Sequence, residues 1–151
     1  MLHPSALDAD TKRRIDEILS RSTLARLATA SPRTLQPHVV PVWFCWDGEC
    51  LWISGFRSTR KFKELGLNPR CAVVVDGGGP PPKEKPPAWG VLLEGLAELI
   101  TSPAEFVAEQ SVRIYTRYLG VEGVLDAEPQ SWIHDAENTL IRLAPENIFV
   151  W

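Results

Sequence analysis

Residues 37–56 read PHVVPVWFCWDGECLWISGF, and the fold turns on how this stretch is understood. Its two halves, 37–46 and 49–54, are rich in β-branched and aromatic residues, a composition that favours strands. Asp47-Gly48 between them is a two-residue hairpin signal for a type I′ turn. Such a turn sets Trp46 opposite Glu49, Cys45 opposite Cys50, Phe44 opposite Leu51 and Trp43 opposite Trp52. Strand side chains alternate. Val42, Phe44, Leu51 and Ile53 therefore share one face, and Trp43, Cys45, Cys50 and Trp52 share the other. Both faces are apolar, so both are expected to be covered, as in a barrel strand pair at a dimer interface.

The pattern extends outward on both sides. Upstream, residues 8–21 predict a helix capped by Asp10, with Ile15, Ile18 and Leu19 on its apolar stripe. Residues 24–30 predict a strand and 31–34 a turn. Downstream, residues 59–67 predict a short helix with Phe62 and Leu65 inward, ended by Asn68-Pro69. Residues 71–76 form a buried strand, and 77–87 (GGGPPPKEKPP) an exposed loop. Residues 90–100 form a long strand in which Gly95 marks a bulge or a close backbone approach. Ser102-Pro103-Ala104-Glu105 reads as a capping box opening a helix to about Leu119, closed by Gly120. Residues 121–137 are irregular with a helical turn, and 139–143 and 147–151 read as a final strand pair or as a strand and its extension. The expected fold class is mainly β with α: a small barrel of antiparallel strands flanked by helices.

The chain has 151 residues, suited to one domain spanning 1–151. Apolar residues make up 44% and charged residues 23%, as in soluble globular proteins. A net charge of −3 argues against general nucleic-acid binding. No signal peptide opens the chain and no apolar run approaches the ~20 residues of a membrane helix. Three cysteines make no disulfide framework, and the expected compartment is the cytoplasm. Cys45 and Cys50, as cross-strand neighbours, are expected to be free thiols that mild oxidation could link.

The chemistry-bearing stretch is Ser54-Gly55-Phe56-Arg57-Ser58-Thr59-Arg60-Lys61, between a strand and a helix. Backbone N–H groups at a helix N-terminus favour an anion. Hydroxyls donate to it, Arg binds it bidentately and Lys adds a point charge. The same residues would also serve as a plain helix cap with solvated cations, and the pattern leaves both open. His3, His38 and His134 are far apart and predict no metal site. No nucleophile, acid or base declares itself, so catalytic residues are unassigned and a cofactor is expected to carry the chemistry.

LARLATA, QPHVVPVWF, WDGECLWISG, STRKFKELGLNPRCAVVVD and GVLLEGLAEL, in that order, resemble the pyridoxamine 5′-phosphate oxidase-like superfamily of FMN-binding split barrels. The resemblance covers about residues 22–100. It implies that Thr59, Arg60 and Lys61, with Ser58, hold a cofactor phosphate. It implies that Ser54 and Gly55 meet the phosphate and ribityl chain, and that His38, Val39, Val40, Pro41 and Val42 lie along the ring system. It further implies a homodimer with cofactor at the interface, and an oxidoreductase in which FMN passes hydride to a small-molecule substrate. A deazaflavin (coenzyme F-420) reductase is the nearest alternative. A haem-binding or haem-degrading protein and a non-catalytic flavin binder also occur in the superfamily. The chain has His38-Val39-Val40-Pro41-Val42-Trp43 where true pyridoxamine phosphate oxidases have Arg-x-Val-Leu-Leu-Lys, which speaks against pyridoxamine phosphate as substrate.

Overall fold

The computed structural model describes residues 1–21, 24–77 and 89–151. Seven strands form one antiparallel sheet: β1 (Ala25–Ala30), β2 (Pro37–Val42), β3 (Cys45–Trp46), β4 (Leu51–Phe56), β5 (Arg70–Asp76), β6 (Gly90–Ile100) and β7 (Asn138–Val150). Four α-helices accompany it: α1 (Ala9–Arg21), α2 (Arg60–Leu67), α3 (Ala104–Gly123) and α4 (Ala127–Ile133). The strand order is β2-β1-β5-β6-β7-β4-β3. The two outermost strands are thus consecutive pieces of one run, parted only by Trp43-Phe44. A sheet whose opposite edges meet through two residues must curl, and because β2 and β3 do not pair it stays open as a split barrel. The expected fold class holds.

The barrel interior is apolar. Leu27, Phe44, Leu51, Ile53, Val73, Val91, Leu93 and Ile141 fill it, and Ile15, Leu19, Phe62 and Leu65 enter from α1 and α2. A second cluster lies outside, where Cys45, Cys50, Trp52 and Leu140 meet Val107, Ile114 and Tyr115 of α3 and Ile133 of α4. The hairpin face made of Trp43, Cys45, Cys50 and Trp52 is therefore covered by the chain's own helices.

The sheet surface left bare lies elsewhere. Ala28, Val39, Ala72, Leu92, Leu96 and Phe149 share one side by their pairing register. None belongs to either apolar cluster, and Val39, Leu96 and Phe149 are 60%, 45% and 47% exposed.

Several local expectations need correction. The hairpin closes with Trp46 opposite Leu51 and Cys45 opposite Trp52, so its loop has four residues rather than two. Asp47 causes this: its Oδ1 accepts from the amides of Glu49 and Cys50, and its Oδ2 from the Trp52 indole. The register moves by two, which preserves each side chain's face but removes Cys50 from opposite Cys45. Asp8, not Asp10, caps α1, accepting from the Thr11 amide at 2.7 Å; Asp10 pairs with Arg13 and Arg14 instead. The capping box does not form: Pro103 stands at the N-cap of α3 and no side chain caps it. The two final segments form one strand, β7, whose register slips opposite Glu94/Gly95 so that Glu146 is unpaired. Gly95 is needed there, since a Cβ would meet the Ala144 carbonyl at 3.0 Å. Gly120 ends the main run of α3 as expected, at φ 78°. The loop expected at 77–87 falls, apart from Gly77, outside the described residues.

Candidate functional site

β4 ends at Phe56 and α2 begins at Arg60, and the turn between them is held from several sides. The Phe56 carbonyl accepts from both the amide and the hydroxyl of Thr59, at 3.0 and 2.8 Å. The Arg57 amide donates to Glu137. Beneath, Ser54 Oγ meets Ser111 Oγ at 2.8 Å, donates to Asn138 at 2.9 Å and meets the Tyr115 hydroxyl at 3.2 Å. Ser54 thus faces α3 and β7 and anchors the loop from below.

Thr59 spends its hydroxyl on Phe56 and does not cap α2. The amides of Arg60, Lys61 and Phe62 meet no acceptor among the described residues. An uncapped N-terminus of this kind presents its partial positive charge outward.

Both cations belong to the first turn of α2. Lys61 is half-buried against Phe62, with its Nζ 5.5 Å from that ring's centre. Among the described residues its only hydrogen bond goes to Thr59 Oγ1 at 3.4 Å, and no carboxylate pairs with it. Burial pulls its pKa below the ordinary lysine value. Gly55 gives the ring and the lysine room: a Cβ there would lie 2.9 Å from Phe62 and 3.9 Å from the Lys61 stem.

Arg60 is more exposed and is tied by Nε to Glu64 Oε1 at 2.8 Å. Glu64 is buried beside Phe62 and Leu65. Its other oxygen accepts from Thr29 Oγ1 at 2.5 Å. The hydrogen bonds from Thr29 and then from Arg60 hold its pKa below the usual carboxylate range, with His38 adding a favourable charge. Thr29 and Glu64, 35 residues apart, share no local pattern that pairs them. A hint existed in Glu64 standing between two inward apolar residues, four places after Arg60.

The structure places Gly55, Ser58, Thr59, Arg60 and Lys61 along the turn from β4 into α2, with Ser54 turned toward α3 and β7 beneath it. His38 to Val42 form β2, an edge strand paired only with β1, where His38 lies opposite Thr29. A cleft of about 420 Å³ opens on the bare sheet side, lined by Thr29, Ala30, Arg70, Cys71, Glu94 and Gly95 among others. Among the described residues no His, Cys, Asp and Glu cluster could hold a metal ion. No helix among them is long and apolar enough to cross a membrane.

Residues 11–151 match the profile of the pyridoxamine 5′-phosphate oxidase family. No curated protein matches the chain significantly. Solved structures do. A conserved hypothetical protein from Mycobacterium tuberculosis is 22% identical, with a TM-score of 0.74 over 97% of this chain and 85% of the other. An F420 reductase is 25% identical, with a TM-score of 0.67 over 89% and 94%. The haem storage protein HutZ from Vibrio cholerae is 18% identical, with a TM-score of 0.71 over 91% and 92%.

Proposed function

The chain belongs to the pyridoxamine 5′-phosphate oxidase family, and from that premise we propose that it is an FMN-dependent oxidoreductase whose phosphate grip is Ser58, Thr59, Arg60 and Lys61. One observation carries the reading: among the described residues, half-buried Lys61 has no carboxylate partner and three neighbouring helix amides have no acceptor. A desolvated ammonium is costly unless it meets an opposite charge. A dianionic phosphate fits both groups. The free hydroxyl of Ser58 and the two Nη nitrogens of Arg60, which bond nothing among the described residues, complete the donor set.

Bound there, a flavin would supply the hydride chemistry. The residues of this chain bind and orient it. Lys61 and Arg60 neutralise the phosphate, and the Ser54 network keeps the loop in place. The unpaired edge of β2 offers backbone groups from His38 to Val42 to the edge of a ring. A second copy of the chain on the bare sheet side would cover Val39, Leu96 and Phe149 and close the 420 Å³ cleft over a small substrate.

Coenzyme F-420 is the second reading, favoured by the F420 reductase among similar structures and by the missing Arg-x-Val-Leu-Leu-Lys strand. Titration of the purified protein with FMN, coenzyme F-420, riboflavin and haem tests these readings together. FMN binding well above riboflavin supports the first. Preference for coenzyme F-420 moves the assignment to the second, and haem binding alone would overturn both.

A further inference from the structure

We propose that Glu64 is the positioning residue of the phosphate grip: a buried carboxylate that fixes the direction of the Arg60 guanidinium before any ligand arrives. The inference rests on the phosphate reading of Arg60 and Lys61.

Position 64 is inward-facing. Its neighbours on the helix, Phe62 and Leu65, are each 2% exposed, and Glu64 itself is 6% exposed. A leucine or methionine would suit such a place, and an ionised carboxylate there must be fully partnered. It is. Thr29, across on β1, donates to one oxygen, and Arg60 Nε donates to the other. Thr29 is 4% exposed, so this half of the arrangement is locked in the core.

Arg60, by contrast, has a side chain 53% exposed. An arginine that free would sample many rotamers and lose that entropy on gripping a ligand. Fixing Nε from below sets the guanidinium plane and leaves both Nη nitrogens for an anion. The chain of contacts runs Thr29 to Glu64 to Arg60, from the barrel core to the mouth of the site.

Charge alone makes the opposite forecast. Glu64 is negative and near the anion site, so by Coulomb's law its removal should strengthen phosphate binding. Orientation says that removal weakens it. The sign of the effect decides.

The experiment measures dissociation constants of FMN and riboflavin for wild type, Glu64→Leu, Glu64→Gln and Arg60→Ala, with folding checked by circular dichroism. Glutamine keeps an oxygen for Arg60 Nε without the charge. We expect Glu64→Leu to weaken FMN about tenfold, Glu64→Gln to stay within about threefold of wild type, and riboflavin to be unchanged in both. In an Arg60→Ala background, Glu64→Leu should bring no further loss. Tighter FMN binding by both variants overturns positioning in favour of charge. Equal losses for FMN and riboflavin overturn it in favour of a structural role. If Glu64→Leu does not fold, Thr29→Val reads the same link, with about threefold loss for FMN alone expected. An unchanged FMN to riboflavin ratio in Thr29→Val overturns the proposal. Separately, if Arg60→Ala leaves that ratio unchanged, the phosphate reading itself fails; a sensitive Arg60 with an insensitive Glu64 defeats only the positioning.

Discussion

Lys61 and Glu64 sit three residues apart on α2, and burial acts on them in opposite senses. Lys61 is desolvated without a countercharge, so its folded pKa lies below the ordinary value. A phosphate requires it charged. FMN affinity should therefore be full below the free protein's Lys61 pKa and fall as pH rises through it, while riboflavin stays flat. Fluorescence titration across the alkaline range checks this, and Lys61→Gln should abolish the slope. At neutral pH, Arg60→Ala or Lys61→Ala should weaken FMN at least about tenfold, or ~1.4 kcal/mol, with riboflavin much less affected. Glu64 has its folded pKa depressed by Thr29 and Arg60. Its stabilising contribution is present above the unfolded value, about 4.3, and disappears as pH falls through the folded one. Thr29→Val removes the leading cause, so acid unfolding should begin at a higher pH than in wild type. A midpoint unchanged by Thr29→Val would show that the hydroxyl does not hold the carboxylate.

Among the elements, what the sequence revealed and what it hid divide by separation along the chain. The strand, loop and helix that carry the candidate site were legible because β4, the loop and α2 are contiguous, and strand, glycine, hydroxyls and cations follow in order. Faces were legible too, since alternation survives a register error of two. The hairpin register was not, because Asp47 uses its side chain to build a wider turn than Asp-Gly alone implies. Nor was the network of Ser54, Ser111, Tyr115 and Asn138, whose members lie 57 to 84 residues from Ser54 with no local signal. Asn138 is 6% exposed and also donates to the Ile133 carbonyl at 2.9 Å. Asn138→Ala would leave that carbonyl unpaired and cost about 1–3 kcal/mol, read as a lower Tm. The cysteines follow the same logic. Burial pushes the Cys45 and Cys71 thiols up to about 11. Both should resist iodoacetamide at pH 8 in the native protein and react once it is unfolded; mass mapping decides. Rapid native labelling of Cys45 would mean that α3 does not cover the β3–β4 face.

For the whole molecule, the apolar sheet surface left exposed among the described residues is a different face from the one formed by Trp43 and Trp52. The Trp43/Trp52 side is filled by α3, with Trp43 stacked on Tyr118 at 4.7 Å. The bare side of β2-β1-β5-β6-β7 carries Val39, Leu96 and Phe149 instead. Stable dimers often bury about 2,000 Å² or more. Sedimentation should give a dimer at micromolar concentration, and Leu96→Glu should shift it toward monomer without unfolding the barrel. A wild-type monomer would leave the cleft beside β2 open and remove the second copy from the account. The central claim is that the uncapped start of α2, with Arg60 and Lys61, holds the phosphate of a flavin. Calorimetric titration of the wild-type protein with FMN and with riboflavin tests it most directly. Saturable FMN binding at one site per chain is expected, with riboflavin at least about tenfold weaker; equal affinity for the two, or no binding of FMN, would rule out a phosphate grip at α2.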